Sequence, residues 1–66
     1  MGDCPICKQK LVIDADGIEK PNVDHCHLSG KIRGIVHSRC NSIIGYAYDD
    51  VDTLKNAIVY LENNKP

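Results

Sequence analysis

Apolar and polar positions along the chain change period from one segment to the next. In the last third Val51, Leu54, Ile58 and Leu61 recur at helical spacing with Ala57 beside them, which predicts an amphipathic packing helix. Asp49, Asp50 and Asp52 supply the cap and favour the positive end of the helix dipole; Asn63, Asn64 and Pro66 close the segment. Upstream, "SRCNSIIG" predicts a short helix starting near Ser38 and stopping at Gly45, a residue suited to the position after a helix. Before it lies a predicted β-hairpin. An extended "VDHCH" ends near His27, "LSGK" turns on Ser29 and Gly30, and a second strand runs from about Lys31 to His37, with Ile32 and Val36 apolar. "KLVID" at 10–14 has the β-branched content of another short strand, followed by a turn at "DADG". "CPIC" at 4–7 is a tight turn in which Pro5 fixes one backbone angle. The expected architecture is one small α+β domain over residues 1–66, a β-hairpin plus helix with a C-terminal packing helix. The chain has no repeats, low-complexity tracts or linker.

Composition limits the core. The chain has 66 residues, no Phe, no Trp and three Tyr, so Ile, Val and Leu must fill the interior. Domains of this size usually need a staple, and the four cysteines are the candidates. Only three residues precede Cys4, so no signal peptide is expected. "MGDCPI" lacks the Ser or Thr of a myristoylation signal, and no apolar run is long enough for a membrane span. A cytosolic chain keeps its thiols reduced, which favours metal over disulfides. The formal net charge of -1 is no electrostatic footprint for nucleic acid. Lys31, Arg33 and Arg39 nevertheless lie close together in the centre; a mixed soluble surface and a local basic patch are equally compatible with that.

Cys4-x-x-Cys7 and His37-x-x-Cys40 have the spacing of two metal knuckles. Two intervening residues let both side chains of a knuckle converge on one ion, and two knuckles give the closed tetrahedral set of structural zinc. Thiolates favour zinc over magnesium or calcium. A redox C-x-x-C is the alternative, but it requires a βαβ context that this pattern lacks. If His37 were a surface residue, Cys26 would be the fourth ligand; the H-x-x-C spacing favours His37. Three thiolates and a neutral imidazole around Zn²⁺ take the whole chain to about -2.

Outside that set remain Asp24, His25, Cys26, His27 and Asn41. Asp24 offers a hard carboxylate ligand, Asn41 an uncharged amide oxygen, and His25 an imidazole able to act as a base near neutral pH. Neighbouring strand residues point to opposite faces, so Asp24 and His25 should sit at a strand end where the chain leaves ideal geometry. Ordinary polar residues on a hairpin are the plain alternative.

The order C-x-x-C, "VDHCH", "GKIRGIVHSRCN", "IIG" and a helix containing "AIVYL" resembles the phage recombination endonuclease VII family, within the wider His-Asn-His (HNH, His-Me finger) nuclease class. The resemblance covers roughly residues 4 to 61. It implies a zinc-stapled ββα-metal fold and a metal-dependent DNA endonuclease leaving 5′-phosphate and 3′-hydroxyl ends. By position it implies that Asp24 and Asn41 hold Mg²⁺ or Mn²⁺, that His25 is the general base and that His27 contacts the phosphate. Lys31, Arg33 and Arg39 fall where DNA would be held. The family usually has a fourth cysteine where this chain has His37. Cys26 replaces an Asp between the two histidines and is expected to be a small buried filler. The implied setting is the cytoplasm of a bacterial host, for a phage or prophage protein acting on DNA alone, as a homodimer or in a larger phage complex. The competing reading is a non-catalytic zinc module that binds DNA or a protein partner.

Overall fold

Turns, not a sheet, organise the N-terminal third. In the computed structural model, which describes residues 2–66, the Cys4 N–H donates to the Gln9 carbonyl at 2.8 Å and the Lys8 N–H returns to the Cys4 carbonyl at 2.8 Å. This tight loop puts Lys8 in the left-handed region, φ 66°. The strand expected at 10–14 is reduced to one bridge, Lys10 to Asp3, and Val12 and Ile13 are exposed. β-branched content favours an extended chain but supplies no partner strand, so this expectation is corrected. A 3₁₀ turn at Gly17–Glu19 leads into the hairpin.

The hairpin pairs β1 (Pro21–His25) antiparallel with β2 (Ile32–His37). The ladder runs from Pro21↔His37 to Asp24↔Gly34, then jumps to His25↔Ile32. Arg33 is therefore the extra residue of a β-bulge, which re-aims side chains at that end of the sheet. The connecting loop is closed by Cys26 N–H to the Lys31 carbonyl and Gly30 N–H to the Cys26 carbonyl, both 2.8 Å, with Gly30 at φ 75°. β1 ends two residues earlier than the hydrophobic pattern predicted.

Helix α1 (Ser38–Tyr46) follows β2 without a loop, and the Ser38 N–H donates to the Lys20 carbonyl at 2.8 Å. It runs one residue beyond Gly45. Tyr48 and Asp49, both at positive φ, turn the chain into α2 (Val51–Glu62), capped by Asp50, whose carboxylate accepts the Thr53 N–H at 3.0 Å. The helix is where its periodicity placed it, but its expected packing role is corrected: α2 buries no residue, and Val51, Ile58 and Leu61 are all exposed.

The buried cluster is Cys4, Leu11, Val36 and Cys40, with half-buried Cys7 packed on it. The largest fully buried side chains are His37, Cys4 and Cys40. Three of the predicted metal ligands are thus the centre of the molecule.

Candidate metal centre and active site

The two knuckles meet where the N-terminal turn packs beneath the junction of β2 and α1. One ligand atom each from Cys4, Cys7, His37 and Cys40 lies within 4.8 Å of all the others. Tetrahedral zinc with bonds of about 2.0–2.3 Å separates its ligands by a little under 4 Å, so small adjustments would close the set. No disulfide competes: all four cysteines are free. Cys26 lies outside the cluster in the hairpin loop and is half-buried, which corrects its expected role as a buried filler.

The surroundings of His37 select the nitrogen that is free to coordinate a metal. Nε2 faces the Lys10 carbonyl at 3.2 Å, an acceptor only, so Nε2 carries the proton. Nδ1, 3.2 Å from the Cys7 sulfur, is left as the free donor atom. Metal-bound imidazoles generally place their other N–H in such a bond. The thiols diverge. Burial pushes Cys4 up, but peptide N–H groups of Cys7, His37 and Ile6 and the His37 ring outweigh it and bring Cys4 down to about 6. Burial, with the neighbouring Cys7 and Cys4, pushes Cys40 up to about 11. Sulfurs packed this closely cannot all ionise without a cation among them, which makes the donor set fit a metal such as zinc.

The second constellation gathers on the bulged end of the hairpin. Asp24 is buried, 7% exposed, and accepts from Arg33 twice, Nε to Oδ2 at 2.6 Å and Nη2 to Oδ1 at 3.0 Å. Hydrogen bonding to Arg33 outweighs burial and holds the Asp24 carboxyl below its usual range. Arg33 also reaches Asp49 Oδ1 at 3.3 Å, and Asp49 Oδ2 lies 3.6 Å from His27 Nδ1. His25 ends β1 at the bulge, exposed, and hydrogen-bonds to no other described side chain. Asp24 and His25 thus occupy the irregular strand end that alternation demanded.

Asn41 is half-buried in the first turns of α1. It stands one turn before Ile44, which lines an open cleft together with Asp24, Arg33 and Val36. Its amide makes no hydrogen bond to Asp24. Of the three basic residues, Arg33 is engaged as above and Arg39 is turned to Glu19 and the sulfurs of Cys7 and Cys40. Lys31 is exposed and makes no ion pair among the described residues. The sequence marks Asp49 only as a helix cap and Glu19 not at all, because their roles here depend on contacts between distant segments.

A carboxylate such as that of Asp24 and an amide oxygen such as that of Asn41 are each donors of the hard type that Mg²⁺ takes. Arg33 occupies two of the roughly four lone-pair positions of the Asp24 carboxylate, one on each oxygen.

The sequence profile of the recombination endonuclease VII family matches residues 1–63. The Gene 59 protein of Mycobacterium phage D29 is 40% identical over 62 residues, covering 91% of this chain and 34% of its own length. The Gene 59 protein of Mycobacterium phage L5 is 39% identical over 64 residues, covering 94% of this chain and 36% of its own. The chain therefore spans about a third of the length of these relatives. No solved structure matches it significantly. No helix among the described residues is long and apolar enough to cross a membrane.

Proposed function

From the premise that this chain belongs to the recombination endonuclease VII family, we propose that it is a metal-dependent DNA endonuclease of the His-Asn-His type, stapled by zinc on Cys4, Cys7, His37 and Cys40. The observation that carries the reading is the family match across residues 1–63, in a chain whose bulge puts an exposed histidine next to a buried carboxylate. His25 takes the proton of the attacking water. Asp24 and Asn41 hold a divalent cation, Mg²⁺ or Mn²⁺, which when bound supplies positive charge against the phosphate and the departing 3′ oxygen. His27, steadied by Asp49, contacts the phosphate. Lys31 and the outward edges of Arg33 and Arg39 hold the DNA backbone, and the products carry 5′-phosphate and 3′-hydroxyl ends. The setting is the cytoplasm of a bacterial host, and the chain acts alone, as a homodimer or within a larger phage assembly.

One observation favours a second reading. Both oxygens of Asp24 already accept Arg33, as they would in a non-catalytic zinc module that binds DNA or protein. Nicking of supercoiled plasmid in Mg²⁺ or Mn²⁺ separates the two. Wild type should cleave, and His25→Ala should keep its zinc and fold while cleavage falls about 10²–10⁴-fold, the usual worth of a general base. Cleavage by wild type and variant at the same rate would remove His25 from the chemistry. DNA binding without cleavage by wild type would favour the module.

A further inference from the structure

We propose that Arg39, clamped by Glu19, is the built-in counter-charge of the Cys₃His metal centre and sets how tightly the metal is held. The proposal rests on reading that cluster as a zinc site. It adds two residues that are not ligands. Three thiolates, one neutral imidazole and a dication leave a net -1 within a largely buried cluster. The guanidinium of Arg39 is laid across it. Nη2 donates to the Cys7 sulfur at 3.4 Å and Nη1 to the Cys40 sulfur at 3.6 Å, one ligand from each knuckle. Nε donates the other way, to Glu19 Oε1 at 2.9 Å. An ordinary surface ion pair would point the guanidinium fork at the carboxylate. Here the fork faces the sulfurs and only Nε serves the carboxylate.

Glu19 is placed to hold this arrangement. It sits in the 3₁₀ turn Gly17–Glu19, fastened to the start of α1 by the Ser38 N–H to Lys20 carbonyl bond. Its Oε2 lies 3.6 Å from His37 Nε2, so the carboxylate spans from Arg39 toward a third ligand. Arg39 also lies between the two ligands of its own knuckle, His37 and Cys40, so helix geometry fixes its position relative to the sulfurs. An exposed Arg–Glu pair alone contributes little. A guanidinium on two thiolates lowers the repulsion among them and orients both, and partners of this kind typically govern metal affinity by 10–100-fold.

The test is competition for zinc between the loaded chain and a chromophoric chelator, together with the sulfur-to-metal charge-transfer spectrum of the Co²⁺-substituted chain. Arg39→Gln should weaken zinc binding by about 10–100-fold and shift the Co²⁺ band. Arg39→Lys, one compact charge in place of a fork, should recover part of the affinity. Glu19→Gln should weaken binding by less, and its effect should largely vanish in the Arg39→Gln background. Lys55→Gln, an equal loss of charge on α2, should change neither readout. Wild-type affinity and spectrum in Arg39→Gln would overturn the proposal. A weaker affinity with an unshifted Co²⁺ band would overturn it too, by assigning Arg39 to the fold alone. A wild type that takes up no zinc would overturn the zinc reading and this inference with it.

Discussion

Single residues carry unusual weight here because so few are buried. Lys8 is the clearest case of cost. The return of its N–H to the Cys4 carbonyl forces φ 66°, a left-handed conformation that disfavours a side chain by roughly 1–2 kcal/mol. The knuckle imposes it, since Cys4 and Cys7 converge only if the chain doubles back there. Lys8→Gly should therefore stabilise the folded chain by about 1 kcal/mol, reduced somewhat by the greater freedom of glycine when unfolded. The check is thermal unfolding at one fixed zinc concentration, where a rise of about 4–8 °C is expected for a domain of this size. The ligands were legible from spacing alone, because two side chains separated by two residues must converge when the chain turns between them. Arg33 and Arg39 were legible only as charges. Their partners, Asp24 and Asp49 for one and Glu19 and two sulfurs for the other, are brought near by folding and leave no periodic trace.

At the scale of elements, local chemistry predicted existence better than packing. The hairpin and both helices follow from turn residues, caps and apolar periodicity. A strand end at Asp24 and His25 follows if both serve one site, since a regular strand would send the two to opposite faces, but a bulge with Arg33 as its extra residue leaves no mark in the pattern. An apolar stripe says where a helix partner would have to lie, not that one exists; α2 has the stripe, of which only Leu54 is even half-buried. The cap of α2 is a local device, with Asp50 accepting both the Thr53 N–H at 3.0 Å and the Thr53 hydroxyl at 2.6 Å. Asp50→Ala should fray α2, lowering the helical circular-dichroism signal by roughly a turn's worth while leaving zinc affinity unchanged. A parallel loss of zinc binding would mean that α2 supports the metal centre.

As a whole molecule the chain is more open than its length suggests. Its surface of 5283 Å² exceeds the roughly 4,200 Å² typical of a compact protein of 7.3 kDa, and its radius of gyration of 13.1 Å exceeds the expected value of about 11 Å. Among the described residues the apolar interior consists of Leu11 and Val36 packed among the candidate metal ligands, with Ala47 buried apart. Such a core cannot offset the chain entropy of folding by itself, and zinc binding to small domains is worth on the order of 10 kcal/mol. Removing the metal with a strong chelator should abolish the hairpin and α1 together, seen as loss of circular dichroism and of dispersed amide resonances, and zinc should restore both. Retention of native dispersion in chelator would show that the aliphatic residues suffice.

On the proposed reading the two constellations divide the work: the cysteine–histidine cluster shapes the backbone, and the hairpin end acts on the phosphodiester. Asp24 is the residue on which that division turns, being a carboxylate at the bulge and distinct from the candidate zinc ligands. The most direct measurement is Mg²⁺-dependent cleavage of supercoiled plasmid by zinc-loaded wild type and Asp24→Asn, with zinc content determined on the same samples. The account predicts one zinc per chain in both and at least a roughly 100-fold slower cleavage in the variant, as expected when a charge stabiliser of the transition state is lost. Equal cleavage rates in the two proteins, with zinc retained, would contradict it.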